Sequence, residues 1–271
     1  MAQKFNLWDS TPGMCEEVPV ITYYQPENKT SDGAIVIFPG GGYSHRANHE
    51  GEHFAEFFNE NGISAFVVDY RVSPHRFPLP LLDARRAIRF VRYNAEKFGI
   101  DKNKIAVMGS SAGGHLAAMV STYYNGIDFE GLDEIDKEDF IPNNQILCYP
   151  VINLVEPDYS HRGSGRNLLW EDHGMYGALL SPDVIATEKA PNAFIWHTFE
   201  DPVVDVRNSL TYASKLRSVG KNAEMHIFPE GKHGLGLCKN HVHCEGVEEK
   251  LLTHVSQWAP LLINWLKYIG Y

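Results

Sequence analysis

A chain of 271 residues, 44% of them hydrophobic, can bury a large core and fits one α/β domain better than two small ones. Its formal net charge of −10 leaves no basic stripe to follow phosphates, which argues against a nucleic-acid partner. Residues 1–9 lack the apolar core of a secretory signal, no stretch approaches a membrane span, and Cys15, Cys148, Cys238 and Cys244 show no disulfide-framework spacing, so a cytoplasmic protein with no membrane partner is expected.

Residues 18–24 read as an early strand, closed by the turn-forming run 26–33. The continuous apolar run 34–38 has the pattern of a strand buried on both faces of a mostly parallel sheet. It leads into Pro39-Gly40-Gly41-Gly42-Tyr43, where glycines let the backbone approach a ligand and aim N–H groups at it. No Gly-Lys-Ser/Thr follows, which disfavours a phosphate-binding loop. His45, His49 and His53 recur at intervals of four and would share one helical face. No metal-binding motif is completed there, so they read as polar surface or supporting residues, with Phe54, Phe57 and Phe58 as the core face of the same helix.

A further buried strand over 63–70 runs into Asp69-Tyr70-Arg71-Val72. Ala84, Ala87, Ile88, Val91, Ala95 and Phe98 then predict one helix over 79–98, stopped by Gly99, with Asp83, Arg85 and Arg86 on its solvated or bridging face. Next, a short apolar strand from Ile105 passes through Gly109-Ser110-Ser111-Ala112-Gly113 into Leu116, Met119, Val120 and Tyr123 at helical spacing. A G-x-S-x-G between strand and helix is a nucleophile elbow: its serine sits in strained backbone, so the residues two before and two after must be nearly free of side chain. Ser111 would stand at the tip, and the Ala112 N–H and the helix dipole would favour negative charge beside it. Strand, helix, strand in this order makes a parallel crossover.

Residues 125–144 are acidic and loop-like, 145–152 read as a strand, and 156–189 mix Gly, Ser, Asp and His around Trp170, Met175, Tyr176, Leu179 and Leu180. Both excursions are expected to form cap or pocket wall, because loops vary while the scaffold positions the chemistry. A strand over 193–198 delivers Asp201, flanked by Glu200 and Asp205, to the sheet edge where α/β active sites assemble. A helix with Leu210, Ala213, Leu216 and Val219 on one face follows, and a strand over 223–228 delivers His233 in a glycine-flanked loop. Cys238, His241, His243 and Cys244 do not have standard zinc spacing and read as loop residues near the rim. Leu261, Leu262, Trp265, Leu266 and Ile269 close the chain as a helix with Pro260 near its start.

Ser111, Asp201 and His233 thus fall at the ends of separate strands, with Asp205 and Glu200 as alternative carboxylates. Serine needs a base, and the imidazole needs a carboxylate to fix its tautomer and stabilise its charge. The order Ser, Asp, His is that of the α/β-hydrolase fold, here expected as a mostly parallel central sheet with helices on both faces and small insertions at about 125–144 and 156–189.

The chain also resembles the small esterases of the α/β-hydrolase superfamily related to hormone-sensitive lipase, in particular their acetyl-esterase or xylan-associated branch. The resemblance rests on Pro39-Gly40-Gly41-Gly42-Tyr43, Asp69-Tyr70-Arg71, Pro78-Leu79-Pro80-Leu81-Leu82-Asp83, Gly109 to Leu116, Asp201-Pro202-Val203-Val204 and His233-Gly234-Leu235-Gly236-Leu237. It implies Ser111 as nucleophile, Asp201 as acid and His233 as base, with the N–H groups of Ala112 and of Gly40 or Gly41 as the oxyanion hole, and no cofactor or metal. Pro39 stands where the hormone-sensitive-lipase pattern has a histidine, which points to the acetyl-esterase branch and away from long-chain lipases. The implied function is a serine carboxylesterase for short-chain esters, with acetylated sugars or xylo-oligosaccharides first among small-molecule substrates; a homo-oligomer is compatible with it. A peptidase of the same fold and a catalytically silent ligand-binding member are the alternatives.

Overall fold

The computed structural model describes residues 2–13, 16–126, 133–170, 174–239 and 244–271. Its strands are β1 (Ala2–Asn6), β2 (Val20–Tyr24), β3 (Ala34–Phe38), β4 (Ser64–Asp69), β5 (Ile105–Ser110), β6 (Asn144–Cys148), β7 (Asn192–Thr198) and β8 (Ala223–Phe228). The α-helices among the described residues are α1 (Glu52–Glu60), α2 (Leu79–Tyr93), α3 (Ala95–Phe98), α4 (Ser111–Thr122), α5 (Arg162–Leu168), α6 (Gly174–Gly177), α7 (Pro182–Ile185), α8 (Arg207–Ser218), α9 (Glu249–Val255) and α10 (Trp258–Tyr268). The strands form one sheet in the order β1-β2-β4-β3-β5-β6-β7-β8, antiparallel at β1-β2-β4 and parallel from β4 onward. This is the α/β-hydrolase architecture. The chain leaves β3 towards β4 on one side and leaves the adjacent β5 towards β6 on the other, so the crevice beyond the carboxyl ends of β3 and β5 is a topological switch point.

The central strands are apolar throughout because both of their faces are covered. Val36 and Phe38 of β3, Val107 of β5 and Ile195 of β7 join one core with Ala87 and Ile88 of α2, Leu116 of α4 and Tyr212 of α8. The alternate residues Ile35 and Ile37, Met108, and Phe194 and Trp196 pack on the other side with Phe54 and Phe58 of α1 and Leu262 and Trp265 of α10. Trp196 stacks on Trp258 with ring centroids 4.8 Å apart. Among the described residues, no helix is long and apolar enough to cross a membrane.

Several elements depart from the sequence expectation. The helix predicted over 79–98 breaks at Asn94, whose side-chain amide donates to Phe90 O at 2.9 Å, and Gly99 then closes α3 in left-handed conformation. The strand expected to reach residue 152 stops at Cys148, because Tyr149 adopts a φ of 37°. Leu210 of α8 is exposed; the helix buries Leu216 as expected, together with Asn208, Ser209 and Tyr212. His45, His49 and His53 do not share a helix: His45 lies in a loop, His49 in a separate single turn, and only His53 in α1.

The charged residues of α2 are buried. Arg86 donates from Nε to Leu7 O at 2.7 Å and from its terminal nitrogens to Asp133 and Asp136, while Arg89 and Arg92 donate to the carbonyls of Glu138 and Ile141. The described part of 125–144 is therefore clasped by one face of α2. Arg71 and Asp83, each 0% exposed, form a two-pronged pair at 2.9 and 2.7 Å, and Asp83 also accepts from Trp8 Nε1 and the Arg71 N–H. Removing one member of such a pair strands the other charge without solvent. Asp83→Ala should therefore cost about 3–5 kcal/mol, read as a lower midpoint in urea unfolding, whereas a change under about 1 kcal/mol would show that Arg71 finds water or another acceptor.

Candidate active site

Ser111 begins α4 with a φ of 52°, a conformation costly for a residue with a side chain. The flanking glycines permit it. A Cβ on Gly109 would collide with Gly113 O, and one on Gly113 would collide with Phe38 O and stand 2.6 Å from Pro39 O. The turn thus lifts Ser111 Oγ to 2.8 Å from His233 Nε2, to which it donates. His233 Nδ1 in turn donates to Asp201 Oδ2 at 2.6 Å. Of the three candidate carboxylates, Asp201 is the one brought to the imidazole; Asp205 pairs with Arg207 at 2.7 Å and Glu200 is exposed.

Asp201 is held on every side. Its Oδ1 accepts the N–H groups of Val203 and Val204 at 2.8 and 2.9 Å, and Oδ2 lies 3.4 Å from His197 Nε2. His197, fully buried, is itself fixed by Ser209 Oγ at 2.8 Å and Val204 O at 2.9 Å. Burial alone would raise the Asp201 carboxyl, but hydrogen bonds from His197 and His233, the His233 charge and the Val204 N–H together hold it well below the usual carboxylate range.

On the other side of Ser111 lie the backbone donors. The Ala112 N–H is one of the groups a helix start leaves without an internal partner, and Gly41 makes no N–H hydrogen bond among the described residues. Gly40 departs from expectation: its N–H donates to Glu50 Oε2 at 2.9 Å and is not available to an oxyanion. The pair that remains is Gly41 and Ala112.

Residues that sequence reasoning missed frame this loop. Glu50, 3% exposed, accepts from Gly40 and, at 2.6 Å on Oε1, from the Tyr149 hydroxyl. Tyr149 in turn accepts the Gly236 N–H at 3.2 Å and packs edge-on against His233 with centroids 5.0 Å apart. His49 Nε2 sits 3.1 Å from Gly234 O, and Trp258 Nε1 donates to Gly236 O at 3.0 Å. Tyr70, from the Asp69-Tyr70-Arg71 run, donates to Pro39 O at 2.6 Å. Tyr43 donates to His115 Nδ1 at 2.8 Å, and His115 Nε2 donates to Leu180 O at 2.7 Å; burial pushes this imidazole down to about 4, so it remains neutral. The only sequence signal for Glu50 was its place in the histidine-rich run.

A pocket of about 450 Å³ opens over Ser111 and His233. Gly41, Gly42, Ser44 and His45 line it from the glycine loop, and His161, Gly163 and Asn167 from the second excursion. Described residues of the first excursion do not line it. Cys238 and Cys244 are buried beneath the base loop, and burial followed by the neighbouring Cys244 pushes the Cys238 thiol up to about 12; His241 and His243 lie outside the described residues.

Residues 21–216 match the BD-FAE family. The chain is 34% identical to an acetylxylan esterase of Xylanibacter ruminicola over 99% of this chain and 51% of that one, and 35% identical to endo-1,4-beta-xylanase B of Butyrivibrio fibrisolvens over 87% and 38%. It therefore spans about half or less of these curated relatives. The crystal structure of an acetyl ester-xyloside bifunctional hydrolase from Caldicellulosiruptor lactoaceticus superposes with a TM-score of 0.87 at 40% identity, covering 99% of this chain and 96% of that one.

The depressed Asp201 carboxyl carries a stability consequence. The folded chain holds this carboxylate ionised at acidities where the unfolded chain, with an ordinary value of about 3.9, takes up a proton. Its contribution is full above about pH 4 and is lost as pH falls below it. Unfolding free energies of wild type and Asp201→Asn should accordingly differ at pH 6 and converge as the solution is acidified below about 4; a constant difference would assign the gain to packing instead.

Proposed function

We propose, since the chain belongs to the BD-FAE family, that it is a serine carboxylesterase removing short acyl groups, acetyl above all, from sugars or xylo-oligosaccharides. The observation that carries this reading is the Ser111–His233–Asp201 relay, at 2.8 and 2.6 Å, whose Ser111 and His233 line one pocket. The choice of acetylated xylo-sugars follows the acetylxylan esterase of Xylanibacter ruminicola that the chain resembles.

In this reading His233 takes the Ser111 proton as Oγ attacks the ester carbonyl, and Asp201 stabilises the imidazolium that forms. The negative charge on the tetrahedral oxygen meets the Gly41 and Ala112 N–H groups and the positive end of α4. His233 returns its proton to the departing alcohol, leaving Ser111 acylated. Water, deprotonated by the same imidazole, then releases the acid. His161, Gly163 and Asn167 wall the pocket from the second excursion and serve as the cap over the leaving alcohol. A small-molecule ester is the only partner this chemistry requires.

Hydrolysis of p-nitrophenyl esters from acetyl to decanoyl tests the proposal. Rates should fall steeply beyond butyryl, and Ser111→Ala should lose at least about a thousandfold in kcat. Undiminished activity in that variant, or none in the wild type, would overturn it. Glu50→Gln bears on the loop: the amide keeps one acceptor oxygen where two are used, so the glycine loop or Tyr149 loses its anchor. The expected result is kcat for p-nitrophenyl acetate lower by about tenfold to a hundredfold with KM little changed, because the oxyanion contact strengthens in the transition state. A raised KM at unchanged kcat would instead place Glu50 in ground-state binding.

A further inference from the structure

His161 lines the pocket and has no part in the proposed mechanism. It caps α5, its Nδ1 accepting the Ser164 N–H at 3.2 Å and standing 2.9 Å from the Ser164 hydroxyl. A backbone N–H can only donate, so Nδ1 carries a lone pair and the neutral ring has its proton on Nε2. Nε2 has no hydrogen bond to protein among the described residues and is not sealed from solvent. The tautomer is therefore set by the fold, and the ring lines the pocket.

The helix carrying this ring is pinned to the site. Asn167 Nδ2 donates to Gly42 O at 2.8 Å, Phe77 N donates to Leu168 O at 2.8 Å, and Arg76 donates to the carbonyls of Arg166 and Asn167. Burial, then the His233 charge, lowers the basicity of His161, with Asp201 opposing. His161 and His233 line the same pocket, and there, in the proposed reaction, His233 hands its proton to the leaving alcohol. A neutral donor suits that place, since a second cation there would oppose the imidazolium forming at His233.

We infer that the His161 Nε2–H is a specificity-determining donor to an oxygen of the alcohol half of the ester, matching the site to polyhydroxylated alcohols such as pyranosides. This rests on the esterase reading. Beyond the ester oxygen, the alcohol half of p-nitrophenyl acetate carries only weakly accepting nitro oxygens at the far end of a flat ring, so the donor should distinguish two substrates with the same acetyl group.

Two variants separate the donor from the cap. His161→Asn keeps an acceptor for the Ser164 N–H but withdraws the pocket N–H, whereas His161→Gln places an amide N–H near the Nε2 position. For methyl tri-O-acetyl-β-xylopyranoside, His161→Asn should lower kcat/KM about tenfold, mostly through KM, with p-nitrophenyl acetate within about twofold of wild type, and His161→Gln should recover most of the loss. Equal losses on both substrates, no loss on either, or failure of glutamine to recover activity would overturn the inference. A wild type that cleaves the aryl ester and spares the xyloside would overturn it while leaving the esterase; one that cleaves neither would remove both.

Discussion

The left-handed backbone of Ser111 is the constraint around which the site is built. A φ of 52° at a residue with a side chain is stable only where the surroundings over-determine it, and here they do so from both sides. Gly109 and Gly113 lie so close that neither can carry a Cβ, and Gly114 packs where a Cβ would stand 2.7 Å from that of Pro150. Beneath them β5 is paired on both edges, with β3 and β6, so the turn cannot relax by sliding. The same geometry aims the start of α4 at the space above β3, where the glycine loop supplies the opposing donor. Strain at one residue and preorganisation of the proposed oxyanion donors are thus two results of a single packing arrangement.

Two loops must hold position against this elbow, and a buried carboxylate connects them. Glu50 grips Gly40 with one oxygen and Tyr149 with the other, and the Tyr149 oxygen holds Gly236 three residues beyond His233. Glycine loop and base loop are therefore cross-braced through a chain of hydrogen bonds that does not include Ser111. Trp258 adds a tie from α10, and its stack on Trp196 carries that tie into the sheet. A buried acid is expensive unless fully satisfied, so its presence beside three backbone segments is understandable as a means of fixing their relative positions.

What was legible in the sequence follows from the range of the interactions involved. The buried strands could be read from runs such as Ile35-Val36-Ile37, because two covered faces demand apolar residues at every position. Ser111, Asp201 and His233 could be singled out because each follows a recognisable strand in a meaningful order. Glu50 and Tyr149 could not, since their contact spans 99 positions, and His197 could not although its partners are near in sequence, since a histidine inside a buried strand carries no local mark of its hydrogen bonds. Gly40 shows the same limit: a glycine after a strand looks like a ligand donor until Glu50 is found to occupy it. The arginines of α2 look like a solvated stripe because burial depends on 133–143 folding back over them. In α8, Leu210 lost the inward place to Asn208 and Ser209, which serve the 152–153 backbone and His197 respectively.

The cap belongs mechanically to the same body. Asn167 binds the carbonyl of Gly42, and His115, within the elbow helix, binds the carbonyl of Leu180 while accepting from Tyr43 at the end of the glycine loop. The described cap residues over the pocket are therefore fastened to the loops that carry the oxyanion donors and not to a separate hinge. A wall so fastened orients a bound alcohol at the cost already met in folding, and leaves less ordering for the moment of binding. Substrate preference and oxyanion geometry are coupled through Gly42: a change in α5 that shifts Asn167 also moves the neighbour of Gly41. Variation that preserves chemistry must then fall on side chains facing the pocket from a fixed backbone, and His161 and Val203 hold such positions.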